Sequence, residues 1–453
     1  MKRTETIVDR RRFLRIATAT IAAPTLVPAS ALGRDGTTSP NNRISVGIIG
    51  LGSRGFNLLN EFLRHPDARV AAICDVHKLH YRDRPWGKGQ AMGREGARST
   101  IAKAFDNRET TSDPSSLFVT DDFREVCDRD DIDVVVVATP DHWHALCTLT
   151  ALRAGKDVYC EKPLTHTFSE GQLVYREVAR RNAVFQTGSQ QRSDQRFRHV
   201  VELVRNGNIG KVNRVEVGLP PGYTEPMGDA TVTKPPEHLD YDLWCGPAPV
   251  LPYMRARHHR WWRGHRAYGG GVLMDWIGHH NDIAHWALSM DRLGPRRVEA
   301  LGWRFPKTDV YNTPYDYTIR CIYPGGVESS ISSSNALGTK LIGEEGWVYV
   351  RRGHWEASDE RWLKPDFNPG PKKMAASPGH TRNFLDCVKT RETCVAPAEV
   401  AHRSVTPGHL GYVSQAVGRA LAWDAKNEQI RDDSEANALL RKLTYRKPWS
   451  PRG

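Results

Sequence analysis

Apolar and mixed blocks alternate through the first half of the chain. Ile44–Ile49 is a β-branched run, and Phe56, Leu58, Leu59, Phe62 and Leu63 follow at the spacing of one helix face. Arg69–Asp75 again reads as a strand, and Asp122–Cys127 reads as a short helix. Asp133–Ala138 is apolar throughout its Val core, as a central parallel strand buried on both faces should be. Ala145–Ala154 is helical and closed by Gly155, and Lys156–Cys160 is the next strand. This alternation predicts an α/β architecture with a doubly wound parallel sheet. Residues 80–118 interrupt it with a polar excursion carrying one short helix near Ala97–Phe105. Farther on the pattern changes. Phe185–Arg192 reads as a strand leading to a polar loop, and a helix bearing Phe197, Val200, Val201, Leu203 and Val204 stops at Asn206-Gly207. Strand-like runs then dominate at Val212–Leu219, Arg297–Phe305, Tyr317–Tyr323, Val327–Ser332 and Gly346–Val350, with glycine turns between several of them. Helical patterns return at His380–Phe384 onward, about Glu399 to Asp424, and Ala436–Leu443.

The first strand runs into Gly50-Leu51-Gly52-Ser53-Arg54-Gly55 and then a helix, the context a dinucleotide loop requires. Gly50 permits the tight turn, Gly52 lets backbone approach a pyrophosphate, and Gly55 lets the helix pack on the strand. Asp75 lies twenty residues past Gly55, at the end of the second strand. A carboxylate there accepts hydrogen bonds from ribose hydroxyls and repels a 2′-phosphate, so NAD is favoured over NADP. Lys78 and Arg82 are the residues that keep NADP as the minority option. Thr139, Pro140 and His144 follow the Val run, and Glu161-Lys162-Pro163 ends the next strand. All these positions fall past the carboxyl ends of the strands, where open α/β sheets bind ligands.

Charge and cysteine usage refine this picture. The formal charge of +12 is partly N-terminal: residues 1–43 hold eight basic and three acidic side chains, leaving about +7 for the rest. Arg10-Arg11-Arg12-Phe13-Leu14-Arg15, the apolar run Ile16–Val27 and Ala29-Ser30-Ala31 resemble a twin-arginine export signal, placing the protein in the periplasm or another extracytoplasmic space. That run is too short and too rich in Thr and Pro to span a bilayer, so no membrane span is expected in the mature protein. Eight cysteines show no C-x-x-C or zinc-finger spacing, and few or no disulfides are expected. Met254–Tyr268 is rich in Arg, His and Trp, but one short stretch without a recognition fold does not make a nucleic-acid site. It suits a polyhydroxylated or anionic sugar, or a buried aromatic platform.

The glycine loop, Ala138-Thr139-Pro140 with His144, Glu161-Lys162-Pro163, and Gly269-Gly270-Gly271-Val272-Leu273-Met274-Asp275 running on to His279 and Asp282 together resemble the Gfo/Idh/MocA family of sugar and inositol dehydrogenases. One departure is that Ile277 stands where the family often has glycine, with Gly278 next. The resemblance implies a signal peptide and linker over 1–40, a NAD-binding Rossmann domain over 41–165, a substrate-binding and oligomerisation domain over 166–425, and a tail over 426–453 packed on the body. The second domain is then α+β with a large, mostly antiparallel open sheet, through which such chains form homo-oligomers. Gly50, Gly52, Ser53, Arg54, Gly55, Asp75, Thr139, Pro140, His144, Glu161, Lys162 and Gln190 become the expected cofactor contacts. Lys162, Asp275 and His279 become the catalytic set, and Arg192, Trp262 and His280 the substrate contacts.

Spacing of i, i+4, i+7 puts Asp275, His279 and Asp282 on one helical face. Such a face is also a metal donor set, but the resemblance implies nicotinamide chemistry with no metal. The expected reaction is hydride transfer between tightly bound NAD and a carbinol carbon of a carbohydrate or cyclitol. It needs a base beside the nicotinamide, and Lys162 and His279 both remain candidates. Two other readings stay open. One is a NAD-dependent glycosidase working by transient oxidation, elimination and re-reduction, which suits an exported protein because its cofactor is recycled. The other is a non-catalytic sugar-binding protein.

Overall fold

The apolar runs form a six-stranded, all-parallel sheet, with strands in the order Phe118–Thr120, Ala68–Cys74, Ile44–Ile49, Val134–Val137, Asp157–Cys160 and Phe185–Thr187. The computed structural model describes residues 42–81 and 89–452. The anticipated export signal and Arg82 lie outside them. Why the runs are apolar throughout is visible in how they pack. Val134 and Val136 enter one hydrophobic core with Phe56, Leu59 and Phe62, whereas Val135 and Val137 enter another with Leu146, Leu149 and Val174. Alternate side chains of a strand point to opposite faces, and helices cover both faces here. Each fully buried Val contributes roughly 1.5–3 kcal/mol by leaving water. The last strand, Phe185–Thr187, pairs with Val158–Cys160 in this sheet, so the strand read as opening the second half belongs to the parallel sheet of the first.

The described part of the polar excursion is more ordered than its composition suggests. It holds an antiparallel pairing of His80–Tyr81 with Ala91–Met92, the helix Gly93–Asp106, and the edge strand Phe118–Thr120. Asp122 caps the short helix Phe123–Cys127 by accepting from the Arg124 amide.

Nine strands make the second sheet, in the order His354–Ala357, Trp347–Arg351, Gly338–Gly343, Val212–Gly218, Glu328–Ser332, Asp316–Ile322, Arg297–Arg304, Leu421–Asp424 and Gln429–Ile430. Every pairing is antiparallel except Val212–Gly218 with Glu328–Ser332. One face carries Val215, Val217, Ile319, Cys321, Ile331, Leu341 and Val348 into the largest core. There they meet Phe197, Val200, Leu273, Ile277, Val405 and Leu410 from three helices, Gln195–Arg205, Gly271–Ala287 and Ala398–Val417. The long helix expected to reach Asp424 ends at Val417. Gly418 takes a left-handed φ of 66°, and Leu421–Asp424 then joins the sheet edge.

The chain end returns to the body. Tyr445 Oη donates to Glu170 at 2.5 Å, and the Trp449 ring packs edge-on against Trp143 at 4.9 Å. All eight cysteines are buried free thiols. Two buried histidines are hydrogen-bonded deep in the fold: His285 to Tyr323 Oη, and His380 to Ser193 and the Thr187 carbonyl. Burial lowers each to about 4, against the pull of the Thr187 bond in His380. The unfolded chain therefore binds protons near pH 6 that the fold does not, and stability rises with pH across this window. We expect stability to fall as the pH drops from about 6.5 toward 4, by about 1.4 kcal/mol per group per pH unit, and the melting temperature to fall with it. A scan that stays flat to pH 4 would contradict this.

Candidate functional site

One cavity of about 590 Å³ runs along the carboxyl edge of the parallel sheet and under the second half of the chain. This is the size range of small-molecule and cofactor sites. The glycine loop forms its floor. Gly50 turns with φ of +92°, and an added Cβ would lie 2.7 Å from the backbone of Ala138. At Gly55 it would lie 1.9 Å from the Gly50 carbonyl oxygen, so that residue serves helix-on-strand packing and does not line the cavity. Beside Gly52 nothing stands within 4 Å. The helix Ser53–Leu63 begins there with no side-chain cap, leaving first-turn amides for an anion. Open space, free amides and a following carboxylate fit a dinucleotide. Asp75 stands at the end of the second strand, its two oxygens accepting from the Leu51 and His77 amides at 2.6 and 2.8 Å. Each oxygen keeps a further lone pair for a ribose hydroxyl.

At the centre, Glu161 is buried and accepts from Arg54 Nε at 2.7 Å and Gln190 Nε2 at 3.0 Å. Burial would raise its carboxyl, but the Arg54 and Lys162 charges outweigh that and lower it. Lys162 follows, before a cis peptide bond to Pro163. His144 holds this turn: its Nδ1 lies 2.7 Å from the Pro163 carbonyl and its Nε2 lies 3.0 Å from that of Thr139. Both ring nitrogens donate to these acceptors only as imidazolium. Its pKa accordingly rises to about 9, with the Cys160 sulfur, Asp141 and the Pro163 carbonyl outweighing burial.

Across the cavity the helix Gly271–Ala287 presents Asp275. Lys162 Nζ donates to Asp275 Oδ1 at 2.5 Å and to its carbonyl oxygen at 2.9 Å. Arg263 Nε pairs with the same carboxylate oxygen at 3.0 Å, and its guanidinium lies over the Trp262 ring at 4.2 Å. Burial pushes Asp275 up, but the Arg263 and Lys162 charges prevail and hold it at about 2. A Cβ added at Gly278 would lie 3.6 Å from the Lys162 Cβ, so helix and lysine turn approach closely at the position where the family motif is shifted by one. His279 also lines the cavity. Its Nε2 accepts from Arg352 at 2.9 Å, so the proton sits on Nδ1, which has no partner among the described residues. Burial first, then the Lys162 and Arg352 charges, holds its pKa well below the ordinary value.

The cavity thus gathers Gly50, Gly52, Ser53, Arg54, Asp75, Thr139, Pro140, His144, Glu161, Lys162, Gln190, Trp262, Asp275 and His279. Three expected site residues stand apart from it: Gly55, as described, Arg192 and His280. Arg192 is buried outside it, bidentate to Asp282 at 2.7 and 2.9 Å and bound to Asp291 at 2.7 Å. Asp282, consumed by that pairing, does not join Asp275 and His279 in the cavity, since a helical face wide enough for three residues here meets two different environments. His280 is buried with its ring stacked on Trp276 at 5.7 Å, outside the lining.

Several lining residues carried no signal in the sequence. Arg352 sits in the turn between two antiparallel strands, and nothing local marks it. Arg263 lay in the Arg/His/Trp stretch that fitted either sugar contact or a buried platform. Asp141 follows Thr139-Pro140 directly and could have been singled out from that position. It is 1% exposed, and neither of its carboxylate oxygens has a hydrogen-bond partner among the described residues. Burial raises its pKa, against the Arg263 and His144 charges.

Residues 44–189 match an oxidoreductase family's NAD-binding Rossmann fold, designated Gfo/Idh/MocA, and residues 194–451 match the C-terminal alpha/beta domain of that family. Among curated proteins, the chain is 29% identical over 222 residues to glycosyl hydrolase family 109 protein 2 of Shewanella sp. (strain ANA-3). The matched stretch spans 45% of this chain and 44% of that relative, less than half of its length. Two solved structures share the fold. Aldose-aldose oxidoreductase from Caulobacter crescentus, complexed with glycerol, aligns with a TM-score of 0.59 at 18% identity, covering 84% of this chain and 99% of that one. The WlbA dehydrogenase from Bordetella pertussis, in complex with NADH and UDP-GlcNAcA, aligns with a TM-score of 0.57 at 17% identity and the same coverage.

Proposed function

We propose, from the premise that this chain belongs to the Gfo/Idh/MocA oxidoreductase family, that it oxidises a carbinol carbon of a sugar or cyclitol with NAD. The bound nicotinamide would supply the hydride acceptor. Residues 41–165 would hold the cofactor, and 166–425 would hold the substrate. Asp75 favours NAD over NADP, because a 2′-phosphate would meet its carboxylate.

The observation that carries this reading is the Lys162–Asp275 pair inside the cavity. Two directions of the Lys162 ammonium point to Asp275 oxygens, and the remaining tetrahedral direction is left for a substrate hydroxyl. In the neutral amine that direction is the lone pair that removes the hydroxyl proton as hydride leaves the carbon. Asp275 and Arg263 fix the amine's position. His279 is poorly placed to share the task, because its basic nitrogen already accepts from Arg352. It orients a substrate oxygen through Nδ1–H instead. Trp262, backed by Arg263, offers an aromatic face to a sugar ring.

A glycosidase reading is favoured by one specific finding, the likeness to a glycosyl hydrolase over part of the chain. It uses the same proton acceptor, followed by elimination and return of the hydride. The buried Asp141 carboxyl, with its raised pKa, then suits the role of acid toward the leaving group. The two readings separate in one experiment on protein purified from the periplasmic fraction, where export on the Arg10–Arg15 motif would put it. Net NADH absorbance on adding sugars or cyclitols identifies the dehydrogenase. Aryl glycoside cleavage without net NADH identifies the glycosidase. Neither signal across a broad panel, from protein that binds NAD, would sink both, and protein confined to the cytoplasm would sink export.

A further inference from the structure

The cavity has a second cluster of chemistry that hydride transfer does not use. His77 follows Asp75 by two residues, and its amide donates to that carboxylate at 2.8 Å. His80 opens the two-residue strand His80–Tyr81, and His259 comes from the Arg/His/Trp stretch almost two hundred residues later. Ring nitrogens from all three lie within 4.8 Å of one another. The His80 and His259 rings stack at 3.8 Å, and His77 stands 4.8 Å from the first and 5.0 Å from the second. His258 flanks the group, its ring 4.0 Å from that of His259. All four line the cavity.

Three features set this cluster apart from a casual stack of rings. First, its nitrogens lack ordinary partners. His77 is 4% exposed, yet neither ring nitrogen has a hydrogen-bond partner among the described residues, and His80 Nδ1 and both His258 nitrogens are in the same position. Leaving buried polar groups like these without a partner is costly to the fold. Second, His259 is held at φ of +52°, a left-handed backbone that a non-glycine residue adopts only when its surroundings impose it. Arg255 fixes that turn by donating to the His258 carbonyl at 2.7 Å. Third, the backbone of the other arm is pinned. His77 makes a β-bridge to Leu239, and the Lys78 amide donates to the His238 carbonyl at 3.0 Å. Two separate stretches of chain thus bring these imidazoles together in one place.

We propose that His77, His80 and His259 form a three-imidazole site for a divalent transition-metal ion, zinc by its donor set, with the fourth coordination position open to the cavity. The ion would clip the loop after Asp75 to the Arg/His/Trp turn, closing the adenosine end of the cofactor site. This departs from the expectation of no metal, which came from weighing only Asp275, His279 and Asp282.

The test uses untagged full-length protein, stripped with a strong chelator and titrated with Zn²⁺ and, separately, Co²⁺. About one ion per chain should bind. The Co²⁺ form should show the intense visible bands of a four- or five-coordinate nitrogen site, and the melting temperature should rise by several degrees at saturating Zn²⁺. The double substitution His80→Ala/His259→Ala should weaken binding at least ~100-fold, with the circular dichroism spectrum unchanged. Should that variant fail to fold, the wild-type Co²⁺ spectrum still decides. Absence of those bands, or metal binding that survives the double substitution, overturns the proposal.

Discussion

Lys162→Met is expected to lower turnover by ~10³-fold, the range lost when a positioned acid–base group is removed. NAD affinity, read by cofactor fluorescence, should hold within a few-fold, because the glycine loop and Asp75 are untouched. Methionine keeps the length and apolar stem of the side chain, so the loss reports the amine. His279→Gln should cost far less, about tenfold, since the geometry gives His279 an orienting role through Nδ1–H. If Lys162→Met keeps turnover within tenfold while His279→Gln abolishes it, the proton acceptor is the histidine.

Much of this site was legible because its parts are local. The turn at Gly50, the carboxylate at Asp75 and the lysine at a strand end each follow from a short pattern whose physical demand is strict. Glycine at 50 is required by φ of +92°, and apolar runs such as Val134–Val137 are required by helices on both faces. The parts that escaped are those built from distant pieces. Arg352 reaches His279 from a turn between two strands, and the triple-histidine cluster joins residues 77, 80 and 259, a separation at which no spacing rule operates. The short strand Gly338–Gly343 and the edge strand His354–Ala357 also escaped. Glycine and mixed polar residues hide their period, and pairing with neighbours decides their conformation.

Arg192 shows the opposite error, a residue whose type suggested a ligand and whose surroundings assign it to the frame. Its guanidinium is bidentate to Asp282 and also reaches Asp291, with side-chain exposures of 5% for Arg192 and 1% for Asp282. Asp282→Ala, on the helix that also carries Asp275 and His279, would leave that guanidinium buried with only one carboxylate, Asp291. We expect it to destabilise the fold by about 3–5 kcal/mol, the cost of breaking a buried ion pair from one side. The chemical-denaturation midpoint should fall accordingly. The paired replacement Arg192→Met/Asp282→Leu should recover most of this loss, because neither charge then needs a partner. A substrate contact would behave differently: the midpoint would hold, KM would rise, and the apolar pair would restore nothing. Stability recovered in the double variant, with KM near its original value, is the result that fixes Arg192 as the post behind the Asp275–His279 helix.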